Sequence, residues 1–201
     1  MEILCAIALL LAIHWTLKGK AQRERIALLS TYLGKYQIEK LMENLIQGYM
    51  RALSEADDAR REQIWHTLHA GEQAVARQFE GFAQDFARLA PDITRTSTLP
   101  VALPFGSQLV PKASFDTRAA FAVHAQGLRH TAQDDTPSDR DRAFQMSAEL
   151  PLMQHTCHWF CRTKATASLR MQARHQTAYP QLLAAVSPQT RQTYLAVLAG
   201  K

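Results

Sequence analysis

An uncharged apolar run at residues 3–17, ILCAIALLLAIHWTL, constrains this chain more than any other feature. Glu2 bounds it on one side, and Lys18, Lys20, Arg23 and Arg25 follow on the other. Such a run is solvated by lipid or by protein, rarely by water. A spanning helix needs roughly 20 apolar residues. The run is slightly short, and His14 and Thr16 weaken its end. Trp15 nevertheless suits the headgroup level and Lys18 and Lys20 can snorkel, so residues 1–20 are expected to form a membrane anchor. The competing readings are a buried apolar helix of a soluble bundle and a cleaved signal peptide. The signal peptide fits worse, because no basic segment precedes the run and no small-x-small site follows it. Basic flanks stay on the cytoplasmic side, which predicts a single-pass inner-membrane protein with its remaining residues in the cytoplasm; a soluble cytoplasmic protein is the alternative.

The 201 residues allow one sizeable domain beside an anchor, and 47% hydrophobic residues suffice for a core. Cysteines at 5, 157 and 161 do not form the pattern of a secreted disulfide framework. Sixteen Arg against seven Lys, with abundant Ala, fit a bacterial chain. Charge is uneven: Glu149 is the last acid, and the six basic residues of 151–201 have no acidic counterpart there. A basic, acid-free end favours an anionic neighbour, whether lipid, nucleic acid or an acidic protein surface, with Arg162, Arg170 and Arg174 as candidate anion contacts. The aromatic residues among them carry no nucleic-acid signature, so nucleic acid is the weaker choice.

Periodicity predicts an all-α chain. From residue 30 to 54, Ile38, Leu41, Leu45, Tyr49 and Leu53 form one helical stripe. A polar break at 55–58 precedes a second long helix over 59–89, striped by Ile64, Leu68, Val75, Phe79, Phe82, Phe86 and Leu89. Residues 21–90 therefore read as an antiparallel helical hairpin. Prolines at 91, 100, 104 and 111 exclude a continuous helix, yet Val101, Leu103, Phe105, Leu109 and Val110 make residues 91–113 too apolar for a free linker. An extended connector packed on the helices, a partner or the membrane surface is expected, with Val101, Leu103 and Phe105 as candidate partner contacts. Residues 114–201 then supply about three helices. One begins at Phe115, capped by Ser114, and one runs from 139–140 to about 175 with Pro151 as a kink or break. The last opens with Ser187 as cap and Pro188 in its first turn, and ends before Gly200.

One cluster has chemical promise. Cys157, His158 and Cys161 share a helical face, and His175 or another residue could complete a zinc site, although neither paired CxxC nor HExxH is present. Packing is the stronger reading, because Leu150, Met153, Cys157, Phe160, Cys161 and Met171 lie on one stripe and buried free cysteine behaves as a small hydrophobe. His66 and His69, spaced i,i+3, could bind metal but read better as a solvated or interfacial pair. The eight glycines are scattered, so no phosphate-cradling loop is present, and no nucleophile-elbow motif occurs. The reading is a membrane-anchored, non-enzymatic helical interaction protein with a protein partner and no cofactor. A zinc- or thiol-dependent protein and an anionic-surface binder are its rivals.

Overall fold

The computed structural model describes residues 1–104 and 106–200; the side chains of Glu2 and Gln108 are not among those described. Helix α1 (Glu2–Leu33) is continuous through the anchor boundary expected at residue 20. It is followed by α2 (Ile38–Ser54) and α3 (Asp58–Ala87). The stripe expected over 30–54 is thus divided at 34–37. The chain turns there as the Tyr36 ring drops onto Phe82, with ring centroids 6.2 Å apart, and the Gln37 N–H donates to Gln78. The hairpin of α2 and α3 forms as expected, with Asp57 accepting from the Arg60 N–H to cap α3.

Beyond α3, a helical turn α4 (Pro91–Thr94) leads into β1 (Arg95–Ser97), which pairs antiparallel with β2 (Ser114–Asp116). This three-residue ladder was not expected from the sequence. It is too short for an alternation pattern, and it leaves the all-α class intact. Between the strands lie the apolar proline-punctuated residues, the turn α5 (Gly106–Leu109) and a 3-10 turn at Pro111–Ala113. Because Ser114 is a strand residue, the cap of α6 (Thr117–Gln133) moves to Asp116, whose carboxylate accepts from the Arg118 N–H.

Helix α7 (Asp139–Cys161) contains Pro151 without ending there. The long helix expected to reach residue 175 breaks instead at Arg162, where Thr163 caps α8 (Lys164–His175) by accepting from the Thr166 N–H. A short α9 (Tyr179–Ala185), not expected, precedes α10 (Pro188–Leu198). The last helix matches its sequence signals: Ser187 accepts from the Thr190 N–H, and Gly200 takes a positive φ of 72°.

The phenylalanine stripe of α3 is core. Phe79, Phe82 and Phe86 surround Phe121 of α6 at 5.0–6.0 Å, and Phe86 meets Phe160 of α7 at 5.6 Å. Tilted and edge-on rings at these distances add to the area they bury. A second core holds Phe115, Leu152, Trp159 and Tyr194, joining β2, α7 and α10.

Candidate functional site

The two halves of α1 differ. The side chains of Ile3, Leu4, Leu9, Leu10 and Trp15 stand exposed, and none of the described residues buries the most apolar stretch. The helix is long and apolar enough to cross a membrane. From Lys18 onward it joins the body and runs antiparallel to α3. Tyr36 bonds Asp85 at 2.9 Å, Tyr32 meets Phe86 edge-on at 5.9 Å, and Arg25 donates to the Arg95 carbonyl at 2.8 Å. Going back along the chain from Tyr36 just past α1 to Tyr32 and Arg25 within it, the partners are Asp85, Phe86 and Arg95 in turn. This places the strand ladder and the proline-punctuated connector at the end of the body from which the apolar half of α1 leaves, and the α2–α3 turn at the other end.

At that end, Lys18, Gln22 and Arg25 share a cavity of about 60 Å³ with Val101, Leu103 and Arg162. Val101 and Leu103 are brought together and remain 63% and 43% exposed, and Leu109 is 71% exposed. Phe105, the third expected contact, lies outside the described residues. A neighbouring open groove of about 600 Å³ between α1, α2 and the α7–α8 corner is lined by His158, Cys161, Arg162 and Arg170. The three candidate anion-binding arginines therefore do not converge. Arg162 and Arg170 share this groove, whereas Arg174 lines another cavity with Glu39 and Glu43.

The candidate zinc ligands also separate. Cys157 belongs to the core, with its sulfur 4.0 Å from that of Met153. His158 and Cys161 face the groove, and His175 bonds Gln154 at 3.0 Å. Among the described residues, no three His, Cys, Asp or Glu side chains come together to hold a metal. Burial, reinforced by Arg170 and Arg174, holds His158 down at about 4, so it is neutral at pH 7. Burial raises both thiols, Cys161 to about 11. Of the other histidine pair, His69 turns its Nδ1 to within 3.6 Å of Glu72.

Two buried polar groupings escaped the sequence reading. Glu72 of α3 accepts from the Tyr49 hydroxyl at 2.7 Å and from Arg142 Nε at 3.0 Å, and Arg142 also pairs with Asp139. The signal was present: Glu72 occupies the gap between Leu68 and Val75, on the same stripe. The second grouping links α6, α7 and α10. Thr156 donates to the Leu152 carbonyl and is 2.8 Å from both His124 Nε2 and the Tyr194 hydroxyl. Two turns earlier on α7, Glu149 accepts from the Ser187 N–H at 3.1 Å. Gly127 is required here, since a Cβ would fall 2.4 Å from Thr190 Oγ1 and 2.8 Å from Glu149 Oε2. Burial holds His124 and His155 at about 3, and these sealed, neutral groups hold helices together.

Comparison of the chain with family models, with curated proteins and with solved structures finds no match in any of the three. The class defined by fold and surface is that of a helical protein with one long apolar N-terminal helix whose first half stands clear of the body.

Proposed function

We propose that the protein is a single-pass membrane protein whose helical body, held at the cytoplasmic face of the inner membrane, works as an interaction component for a protein partner. The observation that carries the reading is the division of α1 near Lys18. Its earlier half exposes large apolar side chains, while its later half is clamped to α3 and α7. Leaving that much apolar surface in water is unfavourable at roughly 25 cal/mol per Å², whereas lipid solvates it without cost. The four basic residues just after the run support the cytoplasmic placement of the body.

The test combines fractionation with topology. The native chain with a C-terminal tag should stay in the membrane fraction through high salt and alkaline carbonate, and the tag should be digested by protease only in inverted vesicles. A near-stoichiometric protein recovered in mild detergent would supply the partner. Release of the chain by carbonate sinks the anchor, and a tag cleaved in right-side-out vesicles reverses the orientation.

A further inference from the structure

We infer that the described residues of the connector, 99–104 and 106–110, form a second membrane contact, an apolar wedge that lies in the lipid headgroup layer beside the exit of α1. The inference rests on α1 being the anchor and adds to it a fixed posture of the body against the bilayer.

Three observations carry it. The first is level. Val101 and Leu103 share a cavity with Lys18 and Gln22, the first turns of α1 after its apolar half. That half has 15 residues, about 22 Å of helix, against a hydrocarbon core of about 30 Å. The shortfall draws Lys18–Gln22 into the headgroup layer, and whatever packs beside them goes too. Arg25 fixes the relation by tying α1 to β1, from which the connector departs.

The second observation is the surface offered. Val101, Leu103, Leu109 and Val110 are exposed large apolar side chains within ten residues. Interfacial segments bury such groups about 5–10 Å into the headgroup–acyl boundary. Lys18, Arg25 and Arg162 line the cavity that Val101 and Leu103 share, and Lys112 follows Val110 by two residues. This charge suits an anionic lipid surface.

The third is the backbone. The N–H groups of Leu103, Gly106 and Val110 bond within the segment, that of Leu99 bonds the Ser97 hydroxyl of β1, and Pro100 and Pro104 have none. A connector with part of its amides already paired enters a poorly hydrated layer at a reduced cost. It also offers little to a partner that binds by adding a strand.

The experiment uses the full chain in vesicles of phosphatidylcholine and phosphatidylglycerol. A genetically encoded fluorescent amino acid replaces Val101, Leu109, Ile7 or Met50 in turn. Ile7 reports the anchor, and Met50, an exposed apolar residue near the end of α2, is the control on the distant end of the body. Brominated lipids should quench probes at 101 and 109 strongly, and iodide in the water should quench them several-fold less than the probe at 50. If the probe at 7 is quenched by bromolipid but 101 and 109 respond like 50, the wedge is wrong and the anchor stands. If 7 also fails, the anchor falls with it. Protection from iodide without bromolipid quenching means that a second copy covers the connector, which overturns the inference.

Discussion

The Arg25 guanidinium sits 5.2 Å from the centre of the Phe160 ring and donates to the Phe160 carbonyl oxygen at 3.1 Å. Its other terminal nitrogen donates to the Arg95 carbonyl at 2.8 Å. One planar fork thus joins α1 to the end of α7 and to the start of β1, the strand from which the chain enters the connector. A basic residue following an apolar run is ordinarily a headgroup contact, but here it is a structural clamp.

Replacing that fork should loosen α1 from the body without unfolding it. Arg25→Ala removes two charge-assisted hydrogen bonds and a stacked cation, a loss of about 2–3 kcal/mol. Arg25→Lys should recover little, because an ammonium cannot reach both carbonyls while lying on the ring. Urea unfolding in detergent gives the stability. Limited trypsin digestion of Arg25→Ala in the 18–23 region should accelerate relative to the native chain, and an unchanged digestion rate would count against the clamp.

The Glu72–Arg142 pair is expected to show strong coupling. Arg142→Met leaves a buried carboxylate with only Tyr49 and His69 near it, and the loss should reach about 3–5 kcal/mol. Glu72→Leu should cost less, because Arg142 keeps its pair with Asp139. The double substitution should cost less than the sum of the two, since neither charge then remains buried alone. A double-mutant cycle by chemical denaturation measures this. Additive losses would mean that the pair is not the unit holding α2, α3 and α7 together.

Such features divide what the sequence made legible from what it hid. Periodicity exposed the α3 stripe from Leu68 to Phe86 and the amphipathic α2, because each buries one continuous face. Local chemistry exposed Ser187 and Gly200 at the ends of α10. The break at Arg162 was hidden because the helical stripe continues past it to Met171, and only the Thr163 cap marks it. Pro151 drew attention to the wrong place, since a proline within a well-packed helix need not end it. At the site, the connector and the basic residues were visible as composition. That Val101 lies beside Lys18, and that Arg174 lines a different cavity from Arg162, depend on contacts between residues far apart in sequence, which no local pattern encodes.

The thiols of the α7 helix should be inert in the folded chain. Burial raises Cys157 far above the ordinary thiol range and Cys161 to about 11, so the reactive thiolate is scarce at pH 7.5. Maleimide labelling followed by mass spectrometry should modify neither residue until guanidinium unfolds the body, and both thereafter. Metal analysis of the same preparation decides the zinc reading. One zinc per chain, lost in Cys157→Ser/Cys161→Ser, would return these residues to a binding role.

Glu149 should leave a signature in the pH dependence of stability. Burial holds its carboxyl at about 7 in the folded chain against an ordinary 4.5, opposed by the hydrogen bonds from Ser187 and Thr190. Between those pH values the folded chain keeps a proton that the unfolded chain releases, so stability falls as pH rises from 4.5 to 7, by about 3 kcal/mol in all. Below 4.5 both states hold the proton and above 7 both release it, so the contribution is level. His124 and His155 act in the opposite sense. Held at about 3, they stay neutral in the folded chain while the unfolded chain takes up protons below 6.5, so their stability is lost as pH falls. The native profile sums these trends, and Glu149→Gln separates them by removing one titration while keeping an acceptor for the Ser187 N–H. The stability of the variant minus that of the native chain, from urea unfolding at successive pH values, should climb between 4.5 and 7 and be flat on either side. A difference independent of pH would show that the carboxyl titrates normally and that water reaches the contact between α6, α7 and α10.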